Sequence, residues 1–180
     1  MPAKKAIFLD RDGTINFDSG YVSCWSDFKF LPGVFEALKL LQDYGFLLYV
    51  ISNQSGVARG YFELATLLEI NEKMRDALRA KDIFITQVYF CPHHPQGKNP
   101  EYRQVCECRK PEPGLILQAA LEHEIDLINS YCIGDRERDC QAGQAAGCKP
   151  ILLSKEASTR YPGFPDLLAA AKYIISVEER

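Results

Sequence analysis

Short apolar runs alternate along the chain with longer stretches in which apolar residues recur every three or four positions. AIFL (6–9), FLLYVIS (46–52), VYF (88–90), YCIG (131–134) and ILLS (151–154) are near-continuous apolar segments. Runs of that length and make-up predict strands buried on both faces. Between them, Val34, Phe35, Leu38 and Leu41 predict a helix over 34–44, entered through Pro32-Gly33 and stopped by Gly45. Leu67, Ile70, Met74 and Leu78 predict a longer helix over 63–80. Pro111 and Pro113 introduce one over 114–124, a small-residue helix ends at Ala146 before Gly147, and a last helix covers 165–175. This alternation implies an α/β fold: a doubly wound, mostly parallel, five-stranded Rossmann-like sheet with helices on both faces. Ligands of such sheets bind outside the carboxyl ends of the strands, so the polar turns after the first four strands should converge on one crevice.

No repeat, low-complexity tract or linker breaks the pattern, and 180 residues suit one domain, 1–180. At this length about 70% of the unfolded surface can be buried. The apolar run at the N-terminus is too short for a signal peptide, and no run approaches a membrane span. Net charge is −3, which offers no basic footprint for nucleic acid. Seven cysteines without a secretory segment argue against a disulfide framework and for the cytoplasm, where clustered cysteines are candidate metal ligands.

The turns carry the chemistry. In DRDGT, Asp10 and Asp12 are two apart, so an extended chain sends both side chains to the same side, and Gly13 permits the tight turn that follows. SNQSG (52–56) places a hydroxyl and amides at the end of the second strand. GDRERD places Asp135 at the end of the fourth, with Asp139 four residues on. Carboxylates from Asp10, Asp12 and Asp135 suit Mg²⁺, a hard ion that takes oxygen ligands. Arg109-Lys110 adds positive charge to the same crevice.

DRDGT, SNQSG, the lysine of CRKP and GDRERD, in this order, resemble the four motifs of the haloacid-dehalogenase-type phosphatases. The resemblance implies phosphoryl transfer through an aspartyl-phosphate. Asp10 would be the nucleophile and Asp12 the general acid and base, with Ser52 and Lys110 stabilising the transferred phosphoryl group. Mg²⁺ would sit on Asp10, Asp135 and the main-chain carbonyl of Asp12. Family members often have threonine where Ser52 stands and lysine where Arg136 stands.

A second cluster lies in CPHHPQGKNPEYRQVCECRKPEPG (91–114). Cys91-x-His93 and Cys106-x-Cys108 supply three thiolates and an imidazole within the loop 91–108, the composition of a closed structural zinc site. His94 is left without a role, and Cys24, Cys132, Cys140 and Cys148 read as core or surface thiols. The segment is similar to the zinc-loop branch of the same superfamily, which holds histidinol-phosphate and heptose-bisphosphate phosphatases. AIFLDRDGTIN, DSGYV, SNQSGVARG, CPHHPQG, YRQVC and CRKPEPG are closest to the heptose-bisphosphate group. That resemblance implies no large cap domain, a small phosphosugar substrate and no nucleic-acid or membrane partner. It also implies a monomer and a place in ADP-/GDP-heptose synthesis for lipopolysaccharide. It carries sugar contacts onto Asp18, Ser19, Gly20, Tyr21, Asn53, Gln54 and Ser55. Arg109 would read the second phosphate or sugar hydroxyls, with Arg136 near metal or substrate; Arg59 reads as an exposed loop arginine, with a phosphate contact as the alternative. The rivals are a histidinol-phosphate phosphatase, a nucleic-acid 3′-phosphatase and a non-catalytic zinc-loop module.

Overall fold

The structure is a computed structural model that describes residues 4–156 and 160–179. Its strands are β1 (Ala6–Leu9), β2 (Leu47–Asn53), β3 (Ile85–Cys91), β4 (Tyr131–Gly134), β5 (Lys149–Leu153) and β6 (Gly163–Phe164). They form one sheet in the order β3-β2-β1-β4-β5-β6, and every neighbouring pair is parallel. The expected sheet therefore has six strands, not five. β6 is a two-residue edge strand, Gly-Phe, with no apolar run to announce it.

The helices are α1 (Val34–Asp43), α2 (Gly56–Arg59), α3 (Leu64–Arg79), α4 (Gly114–His123), α5 (Glu137–Ala146) and α6 (Leu167–Glu178). The short α2, which directly follows the NQSG turn, has no apolar periodicity to predict it. The last helix runs on to Glu178, three residues past the expected end, and starts where Asp166 accepts the Ala169 N–H at 2.8 Å. β3 begins three residues earlier than expected because it is an edge strand whose polar positions are half-solvated.

Alternation along β1 divides the core. Ile7 and Leu9 join Leu38 of α1, Ile70 and Met74 of α3, and Ala170 and Ile174 of α6 on one face. Ala6 and Phe8 join Ile116 of α4 and Ala142 of α5 on the other. Both faces of the sheet are thus covered, and among the described residues no large cap stands over the carboxyl ends. No described helix is long and apolar enough to cross a membrane.

The strand order reverses between β1 and β4. A crevice opens at such a switch point because the connections on its two sides leave in opposite directions. Leu9 pairs with Ile133 and the Asp10 N–H donates to the Ile133 carbonyl at 2.9 Å, so the two strands end side by side. Asp10 and Asp135 follow them directly.

Candidate active site

Asp10, Asp135 and Asp139 each offer a carboxylate oxygen within 4.8 Å of the others. Asp135 approaches this closely because residue 13 is glycine. Its φ is +89°, and a Cβ there would lie 2.3 Å from Asp135 Oδ2. Asp139 arrives from the first turn of α5, where its carboxylate also accepts the Arg136 N–H at 3.0 Å. Gly134 makes room for it, since a Cβ at 134 would meet Asp139 Oδ2 at 2.3 Å.

Lys110 neutralises part of this charge. Its side chain is 2% exposed, and its ammonium donates to Asp10 Oδ1 at 2.7 Å and to the Ile51 carbonyl at 2.6 Å. It also lies 2.7 Å from Asp139 Oδ1. Two of its three donors are thus bonded, and the Asp139 contact is an ion pair in which Asp139 Oδ1 takes no hydrogen bond. Burial opposes the Lys110 charge, but Asp10 and Asp139 hold its pKa above the ordinary lysine value. Burial pushes the Asp10 carboxyl up to about 7, with Lys110 pulling the other way and Asp139 adding to the rise. Burial likewise raises Asp135, again reinforced by Asp139.

Even with Lys110 beside Asp10 and Asp139 and Arg136 shared between Asp135 and Asp18, the three carboxylates keep a negative surplus, and Asp135 Oδ1 is buried without a hydrogen-bond partner. An unpaired buried carboxylate oxygen is costly, and a hard divalent cation beside Asp10 and Asp135 would satisfy it. The residues present therefore fit Mg²⁺. Asp12, expected to offer its main-chain carbonyl to that ion, uses its side chain elsewhere. It accepts from Arg11 Nε and Nη2, from Asn16 Nδ2 at 2.9 Å and from Gln54 Nε2 at 2.7 Å. Arg11 is itself buried, and Asn71 of α3 takes its Nη1 at 2.9 Å.

A crevice of about 380 Å³ opens above these groups. Asp10, Asp12 and Asp18 line it, with Gly20 and Tyr21 from the loop after β1 and Asn53, Gln54 and Ser55 from the turn after β2. Arg59, Arg109 and Arg138 complete the wall. Ser52 and Lys110 are buried behind this wall, Ser52 joined to it by Gln54 Nε2 at 2.7 Å.

The other expected residues are placed as follows. Asn53 spends its amide on the Lys110 backbone, donating to the carbonyl and accepting the N–H, each at 3.0 Å. It therefore holds the Lys110 backbone while also lining the crevice. Ser19 lies on the exposed loop but not in the crevice wall. Arg136 is also outside it, its guanidinium paired with Asp18 and Asp135 at 3.1 Å. Asp18 accepts the Gly20 N–H at 2.9 Å as well, which folds the loop back on itself. Arg59 is half-buried in the wall, not a free loop arginine, and Nη2 donates to His94 Nε2 at 2.9 Å.

Arg138 and the central place of Asp139 were missed, although the charge-rich GDRERD, at the mouth of a helix, already carried the signal. Cys24 is exposed, and Cys132, Cys140 and Cys148 are buried, as thiols without disulfides.

The second cluster assembles as the spacing implies. Cys91, His93, Cys106 and Cys108 place three sulfurs and an imidazole nitrogen within 4.8 Å of one another. Their nearest separations run from 3.1 Å (Cys106–Cys108) to 3.7 Å (Cys91–His93). A tetrahedron with Zn–S near 2.3 Å has an edge of about 3.8 Å, so the gap fits that ion. Burial drives the Cys91 thiol up to about 11 and raises Cys108 too, which makes bare thiolates unfavourable there. Burial lowers His93, which keeps its ring neutral and able to ligate.

Residues 107–172 match the HAD-hydrolase-like family model. The chain is 44% identical over 171 residues to the D-glycero-beta-D-manno-heptose-1,7-bisphosphate 7-phosphatase of Escherichia coli K12, covering 95% of this chain and 88% of that one. The enzyme of the same name from Pasteurella multocida is 45% identical over 172 residues, covering 96% and 91%. The chain belongs to the HAD-like heptose-bisphosphate phosphatases. It is a phosphoric monoester hydrolase by that membership. The crystal structure of D,D-heptose 1,7-bisphosphate phosphatase from B. bronchiseptica, complexed with magnesium and phosphate, aligns with a TM-score of 0.84 at 34% identity. That alignment covers 96% of this chain and 99% of the other.

The last residue of the Cys/His cluster, Cys108, adjoins Arg109 and Lys110 in the chain, which links the loop to Asp10. Cys108→Ser should reduce bound zinc from about one per chain to well below it and lower phosphatase turnover about 10- to 100-fold. Metal analysis beside steady-state kinetics checks this, and unchanged turnover in zinc-free protein contradicts it.

Proposed function

We propose that this chain removes the 7-phosphate of D-glycero-β-D-manno-heptose 1,7-bisphosphate, within nucleotide-heptose synthesis. One observation carries the choice of substrate: three arginines line the crevice in addition to the buried ammonium of Lys110 beside Asp10. A ligand that answers both is anionic twice. Histidinol phosphate carries an ammonium group that would meet like charge at the arginines. A crevice of about 380 Å³ suits a small molecule better than a nucleic-acid strand.

In this reading 1–180 is one domain, with 91–108 a zinc-pinned loop inside it. Asp10, Asp135 and the carbonyl of Asp12 would hold Mg²⁺, and Cys91, His93, Cys106 and Cys108 would hold Zn²⁺. Bound at the first site, the divalent cation would screen the repulsion between carboxylate and phosphate.

Asp10 attacks phosphorus with Oδ2, since Oδ1 is tied to Lys110. The P–Oδ bond forms as the bond to the sugar oxygen breaks, and Asp12 gives its proton to the departing alkoxide. Asp12 then takes a proton from the water that attacks phosphorus, which releases phosphate and restores Asp10. Arg11, Asn16 and Gln54 keep the Asp12 carboxylate facing the crevice between these transfers. For Lys110 to hold a phosphoryl oxygen, one of its three present contacts must give way, and Asp10 is the one that loses charge as the intermediate forms. Ser52 sits behind Gln54 as the second stabiliser. In this reading the protein acts as a monomer in the cytoplasm.

Asp10→Asn should lower kcat by about 10³-fold or more, and Asp12→Asn by about 10²- to 10⁴-fold. Phosphate release assayed with Mg²⁺ on the heptose bisphosphate and on histidinol phosphate decides the substrate. Preference for histidinol phosphate would overturn the reading.

A further inference from the structure

We propose that Arg59 and Arg138 join Arg109 in seating the substrate's second phosphate, with Arg59 setting specificity for bisphosphates and His94 positioning it. This rests on the bisphosphatase reading above.

All three arginines line the same crevice, so three like charges are gathered there. Among the described residues no carboxylate pairs with any of them, whereas Arg11 and Arg136, nearby, are both paired. Like charges gathered without counter-ions cost free energy that an anion would recover.

Arg59 makes the stronger case. Its Nη2 is committed to His94, and its Nε is buried with no acceptor. A guanidinium donor left unsatisfied beside a crevice points to a ligand acceptor, and phosphate oxygens match the planar fork of arginine. The backbone holds this side chain in place. Asn99 N–H donates to the Ala58 carbonyl at 2.8 Å, and a Cβ at Gly97 would lie 2.7 Å from that same oxygen, so α2 packs tightly on the Cys/His loop. His94 follows His93 directly, and Arg109 donates to the His93 carbonyl at 3.3 Å. The loop that aims Arg109 therefore also aims Arg59. Arg138 faces the crevice from the first turn of α5 and is exposed, so its share is smaller.

The test compares kcat/KM for heptose 1,7-bisphosphate with that for heptose 7-phosphate, which lacks the second phosphate, using the Mg²⁺- and Zn²⁺-replete enzyme. Arg59→Ala should lose about 10- to 100-fold on the bisphosphate, mainly through KM, and less than about 3-fold on the monophosphate. Arg138→Ala should narrow the ratio by a smaller factor. His94→Ala should raise KM for the bisphosphate while kcat holds, and Arg59→Lys should recover part of the loss. Equal losses on both substrates, or wild-type ratios in Arg59→Ala and Arg138→Ala, would overturn the proposal. If Arg59→Ala does not fold, as judged by zinc content, Arg59→Lys and Arg138→Ala decide by the same ratio. A wild-type enzyme without preference for the bisphosphate would instead refute the bisphosphatase reading, and this proposal with it.

Discussion

The buried ammonium of Lys110 is the constraint on which the rest of the site depends. It is enclosed between Asp10, Asp139 and the Ile51 carbonyl, so it binds the ends of β1 and β2 and the first turn of α5 through one side chain. A buried charge is tolerated only when paired and fully hydrogen-bonded, and breaking such a pair costs about 3–5 kcal/mol. Its neighbours follow from that requirement. Gly134 yields space to Asp139, Gly13 to Asp135, and Asn53 grips the Lys110 backbone from both sides. Burial drives Asp10 and Asp135 upward, with the charge of Asp139 adding to the rise, and a cation or a proton would relieve both effects.

The Cys/His loop meets a second need. Lys110 and Arg109 lie in irregular chain, where backbone is free to move, yet both must meet the crevice within a fraction of an ångström. Four ligands closing around one ion restrain the loop where helix or sheet does not. The metal nearest the cations is thus a scaffold, while the reacting groups stand on the ends of strands. Division of labour of this kind places function on loops positioned by a rigid core.

Much of this was legible in the sequence. Short apolar runs gave four strands closely, and the DxD, SNQSG and GDRERD turns located the crevice, because strand ends are marked by abrupt polar turns. The Cys/His spacing located the second cluster. What escaped was what depends on packing. The edge strand β6 is only Gly-Phe, and α2 is a single turn with no period. Asn53 and Arg136 carry polar side chains whose partners lie 57 residues away in one case and 118 in the other. No local pattern reveals such partners. Arg59 reads in sequence as a loop arginine or a phosphate contact, and its burial, its place in the crevice wall and its contact with His94 are visible only in the fold.

The most direct measurement of the central claim is magnesium-dependent phosphate release by Lys110→Met, with zinc content determined on the same sample. A fall in turnover of about 10²- to 10³-fold, with zinc still near one per chain, is the expected result. Turnover within about threefold of wild type would show that Asp10 needs no buried ammonium, and would contradict the account.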